Sequence, residues 1–138
     1  MVHQPMQPAF IDFHDAVIAS ITLQRDSSLI ITFDRLCFFY SVERNEYEVW
    51  VCAASIACSG VRTFELKGKL DPGICVSHGS MQDAEEREIP TLTADETPLS
   101  LMSLTLMSGT DVRLSLESAK LHALKRVKQL ENWTGPLR

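Results

Sequence analysis

The chain has 138 residues, 45% hydrophobic and 22% charged, with a formal net charge of −5. Size scaling gives roughly 22,000 Å² of surface for the unfolded chain against roughly 7,000 Å² folded, so a single domain over 1–138 can bury about two-thirds of its surface without staples. Disordered, collagen-like and disulfide-scaffold classes are thereby excluded.

The charge is unevenly spread. Between Met81 and Pro98, Arg87 stands against Asp83, Glu85, Glu86, Glu88, Asp95 and Glu96, whereas Lys120, Lys125, Arg126, Lys128 and Arg138 outnumber Glu117 and Glu131 at the carboxyl end. Such polarity steers a partner or lets two copies associate head to tail. The longest nearly apolar stretch, Val49 to Cys58, is about half the ~20 residues of a membrane-spanning helix. MVHQPMQP has no apolar core of a secretory signal, so the sequence predicts a cytoplasmic protein with no membrane partner.

Residues 1–9, with Pro5 and Pro8, read as an extended lead-in. Val17, Ala19, Ile21 and Leu23 then alternate with Ser20, Thr22 and Gln24, which predicts a half-buried strand. After Asp26-Ser27-Ser28, the set Leu29, Ile31 and Phe33 repeats the period and predicts a β-hairpin. A third extended run carries Leu36, Phe38, Tyr40 and Val42 up to Arg44-Asn45-Glu46. Tyr47 to Ala57 is apolar on both parities, as in a central strand covered on both faces, with a short helix over 52–58 as the alternative.

Val61–Lys67 predicts a further strand, Asp71-Pro72-Gly73 a turn, and Ile74-Cys75-Val76 a brief strand. The acidic segment 81–98, broken by Pro90 and Pro98, predicts an exposed, mobile loop. Leu99–Met107 and Val112–Leu116 flank the turn Ser108-Gly109-Thr110-Asp111. Leu121, Leu124, Val127 and Leu130 recur at about three and predict an amphipathic helix, which Thr134-Gly135-Pro136 ends. Strand after strand without a β-α-β rhythm predicts a mainly β fold, an antiparallel sandwich or strongly curved sheet with one short C-terminal helix, and a β-rich α+β fold as the alternative.

Candidate chemistry is sparse. His14-Asp15 joins an imidazole to a carboxylate, able to ligate a metal or move a proton. Neighbours on a strand face opposite ways, however, so Asp15 is expected to satisfy local amides and His14 to sit at the sheet rim. Cys75-x-x-His78 has the spacing of half a zinc knuckle, and its other half is missing. His78-Gly79-Ser80 lacks the strand-to-helix elbow of a nucleophile, and the six glycines are too dispersed to cradle a phosphate. Cysteines 37, 52, 58 and 75 form no C-x-x-C pair, three of them lie in apolar runs, and all four read as inert core thiols. A net-acidic chain whose basic stretch has only Trp133 among it is a poor nucleic-acid binder.

Phe13-His14-Asp15-Ala16-Val17-Ile18-Ala19-Ser20-Ile21, a polar turn and Leu29-Ile30-Ile31-Thr32-Phe33 resemble the start of small uncharacterised bacterial domains in which a His-Asp-Ala signature leads into a hairpin. A vaguer echo lies in Leu130-Glu131-Asn132-Trp133-Thr134-Gly135-Pro136. Some of these domains look like immunity-protein families of bacterial toxin systems. The resemblance transfers no catalytic residue or cofactor; it implies a bacterial, β-rich module that binds another protein. Asp83, Glu85, Glu86 and Glu88 are the candidate partner-binding residues, since a carboxylate-rich surface can cap a basic site. The expected function is non-enzymatic protein interaction or self-association. The alternative is a small-molecule or metal-dependent activity in a cleft near His14 and His78.

Overall fold

The computed structural model describes residues 8–71, 73–129 and 133–134. Over these the chain is mainly β, with no helix. Its strands are β1 (Phe10–Leu23), β2 (Leu29–Glu43), β3 (Glu46–Ser59), β4 (Thr63–Lys67), β5 (Val76–Gln82), β6 (Thr97–Pro98), β7 (Leu101–Leu106), β8 (Asp111–Ser115), β9 (Ser118–Gln129) and β10 (Trp133–Thr134). They form two antiparallel sheets, one ordered β1-β2-β3-β9-β6 with β10 on β3, the other β4-β8-β7-β5. One hydrophobic cluster lies between them, with Phe33, Phe38, Ile31, Ile56, Met81, Met102 and Leu104 among its most buried members. Four crossings carry the chain from sheet to sheet: residues 60–62 from β3 to β4, 83–96 from β5 to β6, 99–100 from β6 to β7, and 116–117 from β8 to β9.

Turns are made where the sequence allows left-handed backbone. Asp26 Oδ1 accepts from the Ser28 amide, Ser27 takes φ 65°, and Gln24 N donates to Ser28 O at 2.8 Å. Asn45 takes φ 62° between β2 and β3, as asparagine tolerates.

The long strands owe their curvature to bulges. In β2 the buried set is Leu29, Ile31 and Phe33, then Leu36, Phe38 and Tyr40, with exposed Asp34 and Arg35 between. A register shift lies between Phe33 and Leu36, so the hairpin strand and the third run are one strand, its period slipped by a bulge. The same slip corrects the first strand. Ala16 and Ile18 are buried while Leu23 is 63% exposed, not Val17, Ala19 and Leu23 on one inner face. The ladder with β2 shifts between Asp12 and Val17 and again around Ile18, which returns Ile21 to the core side.

Three further expectations meet the structure, and two of them, the C-terminal helix and the free acidic loop, are corrected. Residues 121–129 belong to β9 rather than to a helix; Leu130 lies outside the described residues. β3 needs a partner on the edge that β2 leaves open, and Ser118–Gln129 supplies it. Its ladder slips near 124 and 127, and a spacing of three is what a strand shows across a one-residue bulge, as well as what a helix shows. Residues 52–58 are strand. Third, 81–98 is not a free loop. Met81 and Leu92 are almost wholly buried, Ile11 N donates to Pro90 O at 2.9 Å, Ile89 N to Met81 O at 2.8 Å, and Leu121 N to Thr93 O at 2.7 Å. Exposure is concentrated at 84–88 and 94–96. The brief strand expected at 74–76 instead starts at Val76 and runs on to Gln82, with Cys75 in an isolated bridge to Val17. Of the lead-in, residues 1–7 lie outside the described residues, and Ala9 N already pairs with Phe39 O at 2.8 Å.

Gly79 on β5 shows how tightly β1 meets the second sheet. A Cβ there would lie 2.6 Å from Leu104 Cδ2 and 2.9 Å from Phe13 Cβ and Cγ. The leucine tip can rotate away, but Phe13 is 4% exposed and held by the core. Gly79→Ala is therefore expected to lower unfolding stability by about 1–3 kcal/mol, measured by urea titration; an unchanged midpoint would mean that β1 and β5 are not in this close contact.

Candidate functional site

The His-Asp-Ala signature occupies a wide bulge in β1. Asp12 pairs with Cys37 and Val17 with Arg35, so residues 13–16 stand against Leu36 alone. Asp15 takes φ 64°, which turns the chain and undoes the strand alternation that would separate its side chain from that of His14. His14 Nε2 lies 3.5 Å from Asp15 Oδ2, and both side chains are more than half exposed. The amide-satisfying role expected of Asp15 belongs to Asp12, whose Oδ1 accepts from His14 N at 2.9 Å. His14 Nδ1 sits 2.8 Å from Ser77 O on β5; a carbonyl only accepts, so this nitrogen carries the proton and donates. The pair thus spans the seam between the sheets.

A cleft of about 90 Å³ lies at this seam and brings His14 and His78 together, with Asp12, Glu88, Phe10 and Pro90 also at its wall. His78 is exposed, with Ser77 Oγ 3.2 Å from its Nδ1. Cys75 does not line the cleft. Among the described residues no three His, Cys, Asp or Glu side chains gather where they could hold a metal ion. The volume is well short of the roughly 300–1,000 Å³ of organic-ligand sites. A wider, open depression of about 580 Å³ lies beside Arg62, Arg87, Asp83, Glu85 and Glu117, where charges of both signs face the same space.

The acidic turn divides the candidate partner-binding residues. Asp83 Oδ1 accepts from the amides of Glu85 (2.9 Å) and Arg87 (3.0 Å), and Oδ2 meets Arg87 Nε at 3.0 Å. Asp83 is thus engaged in holding the turn, in which Glu86 takes φ 64°. Glu85 shares Arg87 at 3.3 Å, while Glu85, Glu86 and Glu88 are exposed. Partial burial disfavours the Asp83 charge, but the two amides and the Arg87 guanidinium outweigh it and hold the carboxyl below its ordinary value.

Two thiols are held poorly ionised by burial. Burial pushes Cys37 up to about 11, with the Asp12 charge adding to it, and Cys58 up to about 12. Cys52 and Cys58 are buried; Cys37 and Cys75 are half-buried.

Sequence reasoning placed a strand near 61–67 without seeing its position. Among the described residues β4 pairs only with β8 and lies at the end of its sheet. Phe64 and Leu66 stand opposite Leu114 and Val112, on the core-facing side. Those partners are 1% and 0% exposed, yet Phe64 and Leu66 are 36% and 39% exposed. Thr63, Glu65 and Lys67 face the other way, opposite Ser115, Arg113 and Asp111. The alternation was legible, but edge status depends on the order of strands distant in sequence.

No protein-family model, curated protein or solved structure matches the chain. Among the described residues no helix is long and apolar enough to cross a membrane.

The acidic turn yields a pH prediction. The folded pKa of Asp83 is depressed, so its contribution to the turn is present above the unfolded value of about 3.9 and is lost as pH falls through the lower folded value. The Arg87 amide resonance, followed from about pH 6 down to about pH 2, is expected to shift with a midpoint below that of a free aspartate. A midpoint at or above it would show that the carboxylate does not hold the turn.

Proposed function

We propose that this chain is a non-enzymatic protein-interaction module that docks its partner along the outer edge of β4. The observation that carries this reading is the exposure of Phe64 and Leu66, core-facing by register yet uncovered, beside a strand edge that no described residue pairs. An added strand would satisfy the unpaired amides and carbonyls and cover both side chains at once, the mode in which main-chain bonds supply affinity and alternate side chains supply specificity. Natural edges are commonly blunted by proline, a bulge or an inward-pointing charge. The two-residue β6 has Pro98; β4 is short and carries Lys67, which also blunt an edge, but it has no proline, bulge or inward-pointing charge.

The resemblance of the His-Asp-Ala hairpin to small bacterial domains, some like immunity proteins, agrees with an interaction role in a bacterial cytoplasm. The exposed Glu85, Glu86 and Glu88 would then favour a partner with a basic surface. A second reading, a small-ligand or metal-dependent activity, is favoured by the cleft that His14 and His78 share; its size restricts it to water or a small ion.

A photo-crosslinking residue at position 66, in cells that make the protein, tests the reading. The expected result is a discrete crosslinked species from position 66 and none from exposed Leu23 in β1. Crosslinking from position 86 but not 66 would move the docking surface to the acidic turn, and none from either would contradict an interaction role.

A further inference from the structure

We propose that the partner β4 accommodates is a second copy of this chain, joined β4 to β4 in the antiparallel register that places Leu66 opposite its own symmetry mate. This rests on the reading of β4 as the docking edge.

Charge and face decide the register. A twofold axis perpendicular to the sheet keeps the apolar sides of both copies on one side, and it allows only registers in which some residue opposes itself. Centring on Glu65 or Lys67 sets like charges directly across from one another, which is destabilising. Centring on Phe64 sets Leu66 against the partner's Arg62 and Glu65 against the partner's Thr63, with no ion pair. Centring on Leu66 sets Glu65 against the partner's Lys67 and Lys67 against the partner's Glu65. It also sets leucine on leucine across the axis.

The polar face already follows this pattern within one copy. Glu65 stands opposite Arg113 and Lys67 opposite Asp111, so the second copy would extend an alternation of opposite charges from β8 across both β4 strands. On the apolar face, Val112 and Leu114 would be continued by Leu66 and Phe64 and then by their mates. A five-residue edge buries less than the ~1,200 Å² at the low end of stable complexes, so the dimer is weak and forms with rising concentration.

Sedimentation velocity from about 1 µM to 1 mM tests this. The wild-type chain is expected to pass from monomer to dimer. Leu66→Lys, at a position already partly exposed in the monomer, is expected to abolish dimerisation while leaving the circular dichroism spectrum and melting midpoint unchanged. Glu65→Lys or Lys67→Glu alone sets like charges across the axis and is expected to weaken the dimer at least tenfold. The two together, with Arg113→Glu and Asp111→Lys to keep opposite charges facing each other within each copy, restore the pairs and the dimer. A dimer indifferent to Leu66→Lys, or weakened by both single exchanges and not restored by the fourfold one, overturns the register. A chain of residues 8–138 that dimerises where the full chain does not shows that residues 1–7 fill the edge, which also overturns the proposal. A wild-type monomer throughout, with crosslinking from position 66 to a different protein intact, overturns the second copy as partner but keeps β4 as the docking edge; loss of both overturns both.

Discussion

β1 hydrogen-bonds along both of its edges, and the bulge at residues 13–16 is what permits it. One edge pairs with β2 from Phe10 to Leu23. The other meets the second sheet through the Val17–Cys75 bridge, the Gly73 amide on Ile18 O and the Ser77 carbonyl at His14. A flat strand could not serve both sheets, because the two faces of a shared core require it to turn. Four residues against one supply the turn, with Asp15 in the left-handed region, and Phe13 seats against Gly79. The signature residues that looked most like chemistry are thus first of all a corner.

Closing that seam determines where the sheets end. β5 is covered by β1 on one side and paired with β7 on the other. Segment 93–98 lies along β9, with Leu92 buried beneath it. At the opposite end of the second sheet nothing among the described residues continues beyond β4. Its inner side chains extend past the part of the core that the first sheet covers, and Phe64 and Leu66 are left half in water. The same antiparallel pairing that builds the core leaves β4 without a neighbour among the described residues on its outer edge.

Much of this was legible in the residues. Two-residue alternation gave the mainly β class, the turn at Asp26–Ser28 and the strands around Ser108–Asp111, because each depends on neighbours in the chain. Where bulges intervene, alternation misleads. Phe33 to Leu36 reads as two strands, Leu121 to Val127 reads as a helix, and Val17 reads as inward when Ile18 is. Charge density made 81–98 look unpacked, because Leu92 and Ile89 are single apolar residues among acids and their burial depends on distant strands. For the candidate site, His14 and His78 line one cleft, but the amide-accepting role expected of Asp15 is taken by Asp12. Asp83 is engaged within its own turn. The edge at β4 could not be read at all, since strand order is not written in any local pattern.

Residue-by-residue amide hydrogen exchange of the dilute monomer tests the central claim, that the sheets are joined at β1 and open at β4. Slow exchange is predicted at Gly73 and along β3, with rapid exchange at the β4 amides that do not face β8. Uniform protection of residues 63–67 as strong as that of β7, or rapid exchange at Gly73, would contradict it.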